Sequence, residues 1–308
     1  MNPYKILGGI ASRFPKTIVR LRYFKNTRKP LRLGGDFTKI PNLGTYVFRS
    51  AIHNKGNRRW ALMADKYAVR SEVARIIGEE HLIPLLGRWE RPEDIDFDSL
   101  RGGYVLKTNN GCGTNFVVKS GQEIDRQAVV RSLRKSLEFP YAELSGQLHY
   151  SHIPPCIIAE KLMVQGGGHI SLTDYKIHCV NGEPYVMYVY NDRDEVDHFK
   201  YDLKPYTLRW QLIPPDTAVE EVAPDMPVAP DKPACLEEML RMAARLSQGE
   251  EYVRVDFYII DGNIYFGEMT YTPDTLFNPR FDHYQSVMNG ILARIAEGRR
   301  KGVSANTF

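Results

Sequence analysis

The sequence predicts an α+β protein in which strand pairs and helices build separate lobes. Three observations point there. Apolar runs flank the turn signals Asn181-Gly182 and Asp261-Gly262. Helical periodicity recurs at scattered places between and after these strand pairs. No regular strand–helix–strand alternation links them, so a doubly wound sheet is not expected. A chain of 308 residues is long enough for two or three subdomains, and 43% hydrophobic with 25% charged residues is an ordinary globular composition.

The elements follow in chain order. Residues 1–35 carry nine Lys or Arg and no acid, which leaves the rest of the chain at −5 within a total of +4. Ile, Leu, Phe and Tyr interleave with these charges. A solvated basic helix, a dimer contact and an arm lying on an anionic membrane surface are all open readings. Nucleic acid is not an expected partner, because the basic surplus stays in one arm. Residues 37–60 read as polar loop. Residues 61–77 read as one helix, with a stripe from Leu62 through Val69 and Val73 to Ile77 and an out-of-place Lys66 on it. A short apolar segment, 82–86, precedes a strand at 104–107 and its hairpin partner at 116–118. Residues 123–137 read as a helix and 156–161 as a strand. The run 174–180 and 184–190 is a hairpin. Six prolines between 203 and 232 suggest an irregular extended insertion, followed by a helix through 246. Strands at 252–260 and 264–270 and a helix at 282–300 complete the chain. The division expected is a basic arm and lead-in (1–60), a smaller lobe (61–160) and a larger lobe (161–308).

The function classes narrow by exclusion. No apolar run approaches the roughly 18 residues needed to span a bilayer, and no secretory leader is visible. The four cysteines form no Cys-x-x-Cys pair, so neither a disulfide framework nor a zinc site is indicated. The expected location is therefore the cytoplasm. Neither Gly-x-Gly-x-x-Gly nor Gly-x-x-x-x-Gly-Lys-Ser/Thr occurs.

Three constellations are chemically suggestive. Lys107 ends a strand before the turn Gly111-Cys112-Gly113-Thr114-Asn115, where glycines let backbone N–H groups approach an anion and lysine adds a point charge. In the last hairpin, alternation puts Arg254 and Asp256 on one face. A three-residue turn, 261–263, pairs Ile260 with Ile264. Asp256 then stands opposite Glu268, and Arg254 opposite Thr270. Like charges in that position are destabilising, and a divalent cation with oxygen ligands removes the penalty. A two-residue turn instead moves Glu268 to the other face. The third constellation is an apolar strand ending in Glu160-Lys161, followed by Asp174 and Lys176.

Together these segments resemble the TupA-like ATP-grasp proteins found with bacterial surface-polysaccharide genes. The matching text is Ala64 to Arg70, Ile83 to Gly87, Val105-Leu106-Lys107 with its glycine loop, Ile158 to Lys161, Asp174-Tyr175-Lys176, Asp192-Arg193, Val253 to Tyr258 and Phe266 to Thr270. The resemblance implies the ATP-grasp fold, two α+β lobes sandwiching ATP. It implies that Lys66 and Lys107 hold phosphates, that 111–115 covers them, and that Glu160, Lys161 and Met163 form the adenine hinge with Asp174 at the ribose. It further implies Lys176, Arg193 and Arg254 as phosphate or acyl-phosphate contacts, and Asp256 and Glu268 as Mg²⁺ ligands. Thr270 stands where many such ligases have Asn. The activity implied is a carboxylate–amine ligase, joining an amine or amino acid to a small-molecule or glycan carboxylate such as a uronic acid. A sugar kinase on the same fold, a non-catalytic assembly partner and a glycosyltransferase (from three Asp-x-Asp tripeptides) are the rivals.

Overall fold

A computed structural model describes residues 3–31, 40, 42–113, 115–165, 172–191, 202–273 and 283–302. Two antiparallel sheets organise them. The smaller has the order β1-β4-β2-β3, from β1 Leu85–Trp89, β2 Tyr104–Thr108, β3 Phe116–Val118 and β4 Ile157–Lys161. The larger has the order β7-β6-β5-β8-β9, from β5 Asp174–Val180, β6 Glu183–Asn191, β7 Asp202–Tyr206, β8 Tyr252–Ile260 and β9 Asn263–Thr270. The helices are α1 Pro3–Arg13, α2 Pro15–Thr27, α3 Leu43–His53, α4 Arg58–Ala64, α5 Val69–Ile76, α6 Arg126–Glu138, α7 Tyr141–Ser145, α8 Leu236–Ser247 and α9 Gln285–Arg300.

Alternation along the larger sheet decides what each face does. Ile177, Cys179, Met187, Val189, Val253, Val255 and Phe257 point to one core, closed by α4, α5 and α8. Val180, Val186, Tyr188, Tyr190 and Tyr252 point to the other, closed by α2, α3 and α9. Asp174, Lys176, His178, Arg254 and Asp256 share the second face by the same alternation and are all buried. The smaller sheet has its own core, Ile95 to Ala159, with α6 across it.

Four sequence expectations change. Residues 42–53 are not loop. Asn42 caps α3 by accepting from the Thr45 N–H at 2.8 Å, and Leu43 to Ala51 are all buried. Thr45, Tyr46 and Val47 are weak helix formers, so this helix is stabilised by its surroundings rather than by propensity. The single helix of 61–77 is two. Asp65 Oδ1 accepts the N–H groups of Tyr67 and Ala68 at 2.8 and 3.2 Å, a local turn that competes with helix continuation. Lys66 sits in that break, which removes the oddity of a charge on an apolar stripe. The proline-rich segment begins with a true strand. β7 pairs with β6, and Pro205 is tolerated because β7 is the sheet edge. Beyond it Trp210 stacks on Tyr206 at 4.4 Å and donates to the Pro230 carbonyl at 3.2 Å, so the insertion is packed.

The fourth change concerns the last hairpin. Ile260 pairs with Asn263, so the turn has two residues, Asp261 and Gly262, both at positive φ (50° and 80°). By itself this turn would put Glu268 out of register. Phe257 pairs with Phe266 while Asp256 pairs with Glu268, so Gly267 is an extra residue bulged out of the ladder. A Cβ on Gly267 would lie 3.1 Å from the Asp256 carbonyl oxygen, which explains the glycine. The bulge restores the register that the turn removes, and Arg254 faces Thr270 as expected.

Candidate nucleotide and metal site

The root of the glycine loop is fixed by Asn109, whose partners are not legible in the sequence. It is 1% exposed. Its Nδ2 donates to Asp65 Oδ1 (2.9 Å) and the Pro154 carbonyl (3.0 Å), and its Oδ1 accepts from the Cys156 N–H (2.7 Å). Asp65 thus joins the α4–α5 break to the loop. Next to it, Lys66 Nζ donates to the Gly111 carbonyl at 2.5 Å. Gly111 lies against the Tyr141 ring, where a Cβ would approach to 3.3 Å. Gly113 has φ 74°. Cys112 is exposed, with Sγ 3.1 Å from the Tyr141 hydroxyl. Thr114 lies outside the described residues.

Strand pairing brings Lys107 of β2 beside Glu160 of β4. Lys107 Nζ is 2.5 Å from Glu160 Oε2, and Arg70 Nη1 is 3.0 Å from Oε1. Arg70, one turn after Lys66 in sequence, is another residue whose partner is not legible there. It also donates to the Ile83 carbonyl at 2.8 Å. The Glu160 carboxylate is therefore spent on two cations within the protein. Lys161 is exposed, with its N–H on the Pro84 carbonyl at 2.9 Å. Met163 is half-buried beyond the strand end.

On the larger sheet, Asp256 is the centre of a charged network. Its Oδ2 accepts from Lys176 Nζ at 2.6 Å and from Arg254 Nη2 at 2.7 Å, and its Oδ1 from Arg254 Nε at 2.7 Å. Arg254 Nη2 also reaches Glu268 Oε1 (2.9 Å) and Thr270 Oγ1 (3.1 Å), and Thr270 donates to Glu268 at 2.8 Å. Lys176 Nζ lies 3.4 Å from Asp174 Oδ2 and 5.1 Å from the Tyr190 ring centre. The expected repulsion between Asp256 and Glu268 is thus offset inside the protein by Arg254 and Lys176. No divalent ion is needed to hold the pair together.

One cleft joins the two sheets. Its lining includes Lys107 and Glu160 of the smaller sheet, Glu268 of the larger, and Lys66, Arg70 and Asn115. Of the other residues expected at the site, Gly111, Cys112, Gly113, Lys161 and Met163 do not line it, and neither do Asp174, Lys176, Arg254, Asp256 and Thr270, which stand behind Glu268 in the charged network of the larger sheet. Arg193 lies outside the described residues. Burial pulls the Lys66 ammonium below the ordinary lysine range; Glu268 opposes this and Lys107 adds to it. Burial and Asp256 push the Glu268 carboxyl up, yet Arg254, Lys66 and Lys176 outweigh them and hold it low. Arg254 is held charged against its burial, first by Asp256.

These residues fit a polyphosphate and its cation. Two lysines reach the cleft, and Glu268, 41% exposed at its side chain, is the carboxylate that opens toward it. Among the described residues no three His, Cys, Asp or Glu gather to hold a metal by themselves. A pair of carboxylates completed by phosphate oxygens is the donor set that suits Mg²⁺.

The family model described as TupA-like ATPgrasp matches residues 48–290. No curated protein matches the sequence. Among solved structures, the chain is similar to a Chryseobacterium gregarium RiPP-associated ATP-grasp ligase in complex with ADP and a leader and core peptide. Identity is 13%, TM-score 0.44, coverage 100% of this chain and 74% of that one. It is also similar to a Bacillus anthracis D-alanine–D-alanine ligase complexed with ATP, at 14% identity and TM-score 0.43, covering 78% and 68% of the two chains. The Helicobacter pylori D-alanine–D-alanine ligase gives 16% identity and TM-score 0.38 over 77% of this chain, which spans 58% of that one.

Proposed function

The chain belongs to the TupA-like ATP-grasp family, whose fold has ATP and Mg²⁺ as its usual cofactors and ATP-dependent ligation as its general chemistry. From that premise we propose that it is a carboxylate–amine ligase working through an acyl phosphate. The single supporting observation is the cleft in which Lys66 and Lys107 face Glu268, backed by the Asp256–Arg254–Lys176 network.

Bound ATP supplies the phosphoryl group, with Mg²⁺ shielding its charge. The protein's part is binding and positioning. Lys66 and Lys107 hold phosphate oxygens as point charges, and residues 111–115 close over them. Asp256 and Glu268, with Thr270, hold Mg²⁺. Lys176 and Arg254 neutralise charge spreading over the transferring phosphate, with Arg193 as a further cation. Glu160, Lys161 and Met163 form the adenine hinge and Asp174 the ribose contact. Residues 61–160 supply the smaller lobe and 161–308 the larger, although α4 and α5 pack into the larger sheet's core. The substrate carboxylate attacks the γ-phosphate, giving an acyl phosphate and ADP. The amine then attacks the acyl carbon, giving an amide and free phosphate. No side-chain nucleophile takes part, so catalysis is positioning and electrostatics.

The substrates we propose are an amino acid or simple amine and a uronic-acid-type glycan or precursor, in surface-polysaccharide assembly in the cytoplasm. This half rests on the resemblance to the family. The test is to incubate the protein with ATP, Mg²⁺, pooled amino acids and uronic acids, following phosphate release and amide mass. Phosphate release that needs both an acid and an amine supports the reading. A stable phosphorylated sugar without amide overturns it in favour of a kinase.

A further inference from the structure

The first two helices use only part of their apolar surface for folding. Both rest on α7 and its lead-in. Tyr4 meets the Phe139 ring edge-on at 5.8 Å. Gly8 lies so close that a Cβ would come within 2.8 Å of Pro140 Cβ. Arg22 donates to the Ser145 carbonyl, and Ala11, Val19 and Tyr23 are buried.

The remaining large apolar residues point outward. Ile6, Leu7, Ile10 and Phe14 are 43, 44, 55 and 59% exposed, and Leu21 and Phe24 are 61 and 50% exposed. Positions 6, 10 and 14, with 7, recur at spacings of three and four. Ile6, Leu7 and Ile10 form one stripe on α1, on the side away from Gly8, and Phe14 continues it at the joint between α1 and α2. Leu21 and Phe24 are three apart on α2, away from Val19 and Tyr23. The other exposed large hydrophobics, from Leu62 to Val228, are spread along the chain. A soluble surface has no use for six such side chains within nineteen residues.

Charge selects the occupant. Arg13, Lys16, Arg20, Lys25, Arg28 and Lys29 are exposed around these residues, and no acid occurs before Asp36. Two copies meeting through this face would bring six exposed cations against six. An anionic lipid surface offers apolar depth and negative charge together. We propose that α1 and α2 form an in-plane anchor that docks the protein on an anionic phospholipid surface. The anchor stands independently of the ligase reading, since no nucleotide residue lies in it.

Full-length protein is sedimented with vesicles of phosphatidylglycerol and phosphatidylcholine in equal parts, and with pure phosphatidylcholine. The expected result is binding to the anionic vesicles alone, weakening as salt rises. Lys16→Gln with Arg20→Gln lowers partitioning roughly 30-fold, the effect of two cations near such a surface. Ile10→Asp with Phe14→Asp abolishes it without moving the thermal midpoint, because both side chains are exposed. Three results would overturn the anchor: no sedimentation with anionic vesicles, unchanged binding by the Ile10/Phe14 variant, or a dimer in light scattering that this variant disperses while vesicles bind neither protein.

Discussion

Replacing Asp256 by Asn should unfold the protein more readily, whereas replacing Glu268 by Gln should not. Asp256 accepts from Lys176 at 2.6 Å and from Arg254 at 2.7 Å. The three side chains are only 2, 10 and 7% exposed. Without the Asp256 charge, the carboxylates left to the two buried cations are Asp174, 3.4 Å from Lys176, and Glu268, 2.9 Å from Arg254. Removing one partner of a buried ion pair costs about 3–5 kcal/mol. Glu268 is 41% exposed and also repels Asp256, so its loss costs about 0–1 kcal/mol. Urea unfolding of both variants, without nucleotide or metal, measures the difference. Phosphate release measures the proposed function, and both variants should lose it if each carboxylate is the Mg²⁺ ligand proposed above. A wild-type urea midpoint for Asp256→Asn would refute the reasoning about Arg254 and Lys176. Wild-type turnover in either variant would refute the metal assignment.

Three further outcomes follow from the same structure. Lys107→Ala should weaken ATP binding about tenfold by calorimetry, with stability within about 1 kcal/mol, because Arg70 still pairs with Glu160. Gly267→Ala should cost about 1–3 kcal/mol by urea unfolding, since a Cβ would press on the Asp256 carbonyl and the Tyr258 ring, each at 3.1 Å. Stability should also fall with acid below neutrality. Burial holds His149 at about 3 and keeps His178 well below its ordinary value. The unfolded chain therefore binds protons near pH 6.5 that the folded chain refuses, so stability present above that pH is lost below it. His149 alone accounts for about 2 kcal/mol between pH 7 and pH 5. Equal urea midpoints at the two pH values would rule this out.

The site was more legible than its supports. Lys107 is legible because it stands near the end of β2, before a glycine turn, and Asp256 and Glu268 because period-two alternation along β8 and β9 fixes which side chains share a face. Asp256 does oppose Glu268, but the odd residue sits in the ladder at Gly267 and not in the turn, because nothing local in the sequence says where a ladder will absorb it. α3 was invisible because Thr45, Tyr46 and Val47 become helical only when packed. The roles of Arg70 and Asn109 leave no signal, since they depend on partners distant in sequence: Glu160 for one, Asp65, Pro154 and Cys156 for the other. The ion pairing of Asp256 with Arg254 and Lys176 was likewise hidden, although all three had been singled out.

The bulge at Gly267 has a consequence for how this hairpin tolerates changes in length. An uninterrupted ladder around the turn Asp261-Gly262 needs one residue fewer than the chain supplies, and the surplus is stored at Gly267. Excising Gly267 would leave Asp256 opposite Glu268 while straightening the strand beside them, since a bulge bends and twists the strand that holds it. The opposition of the two carboxylates and the direction in which they point are therefore separable by a single deletion. A Gly267 deletion that keeps the fold but loses Mg²⁺–ATP binding would show that direction, and not opposition alone, was the reason for keeping the spare residue.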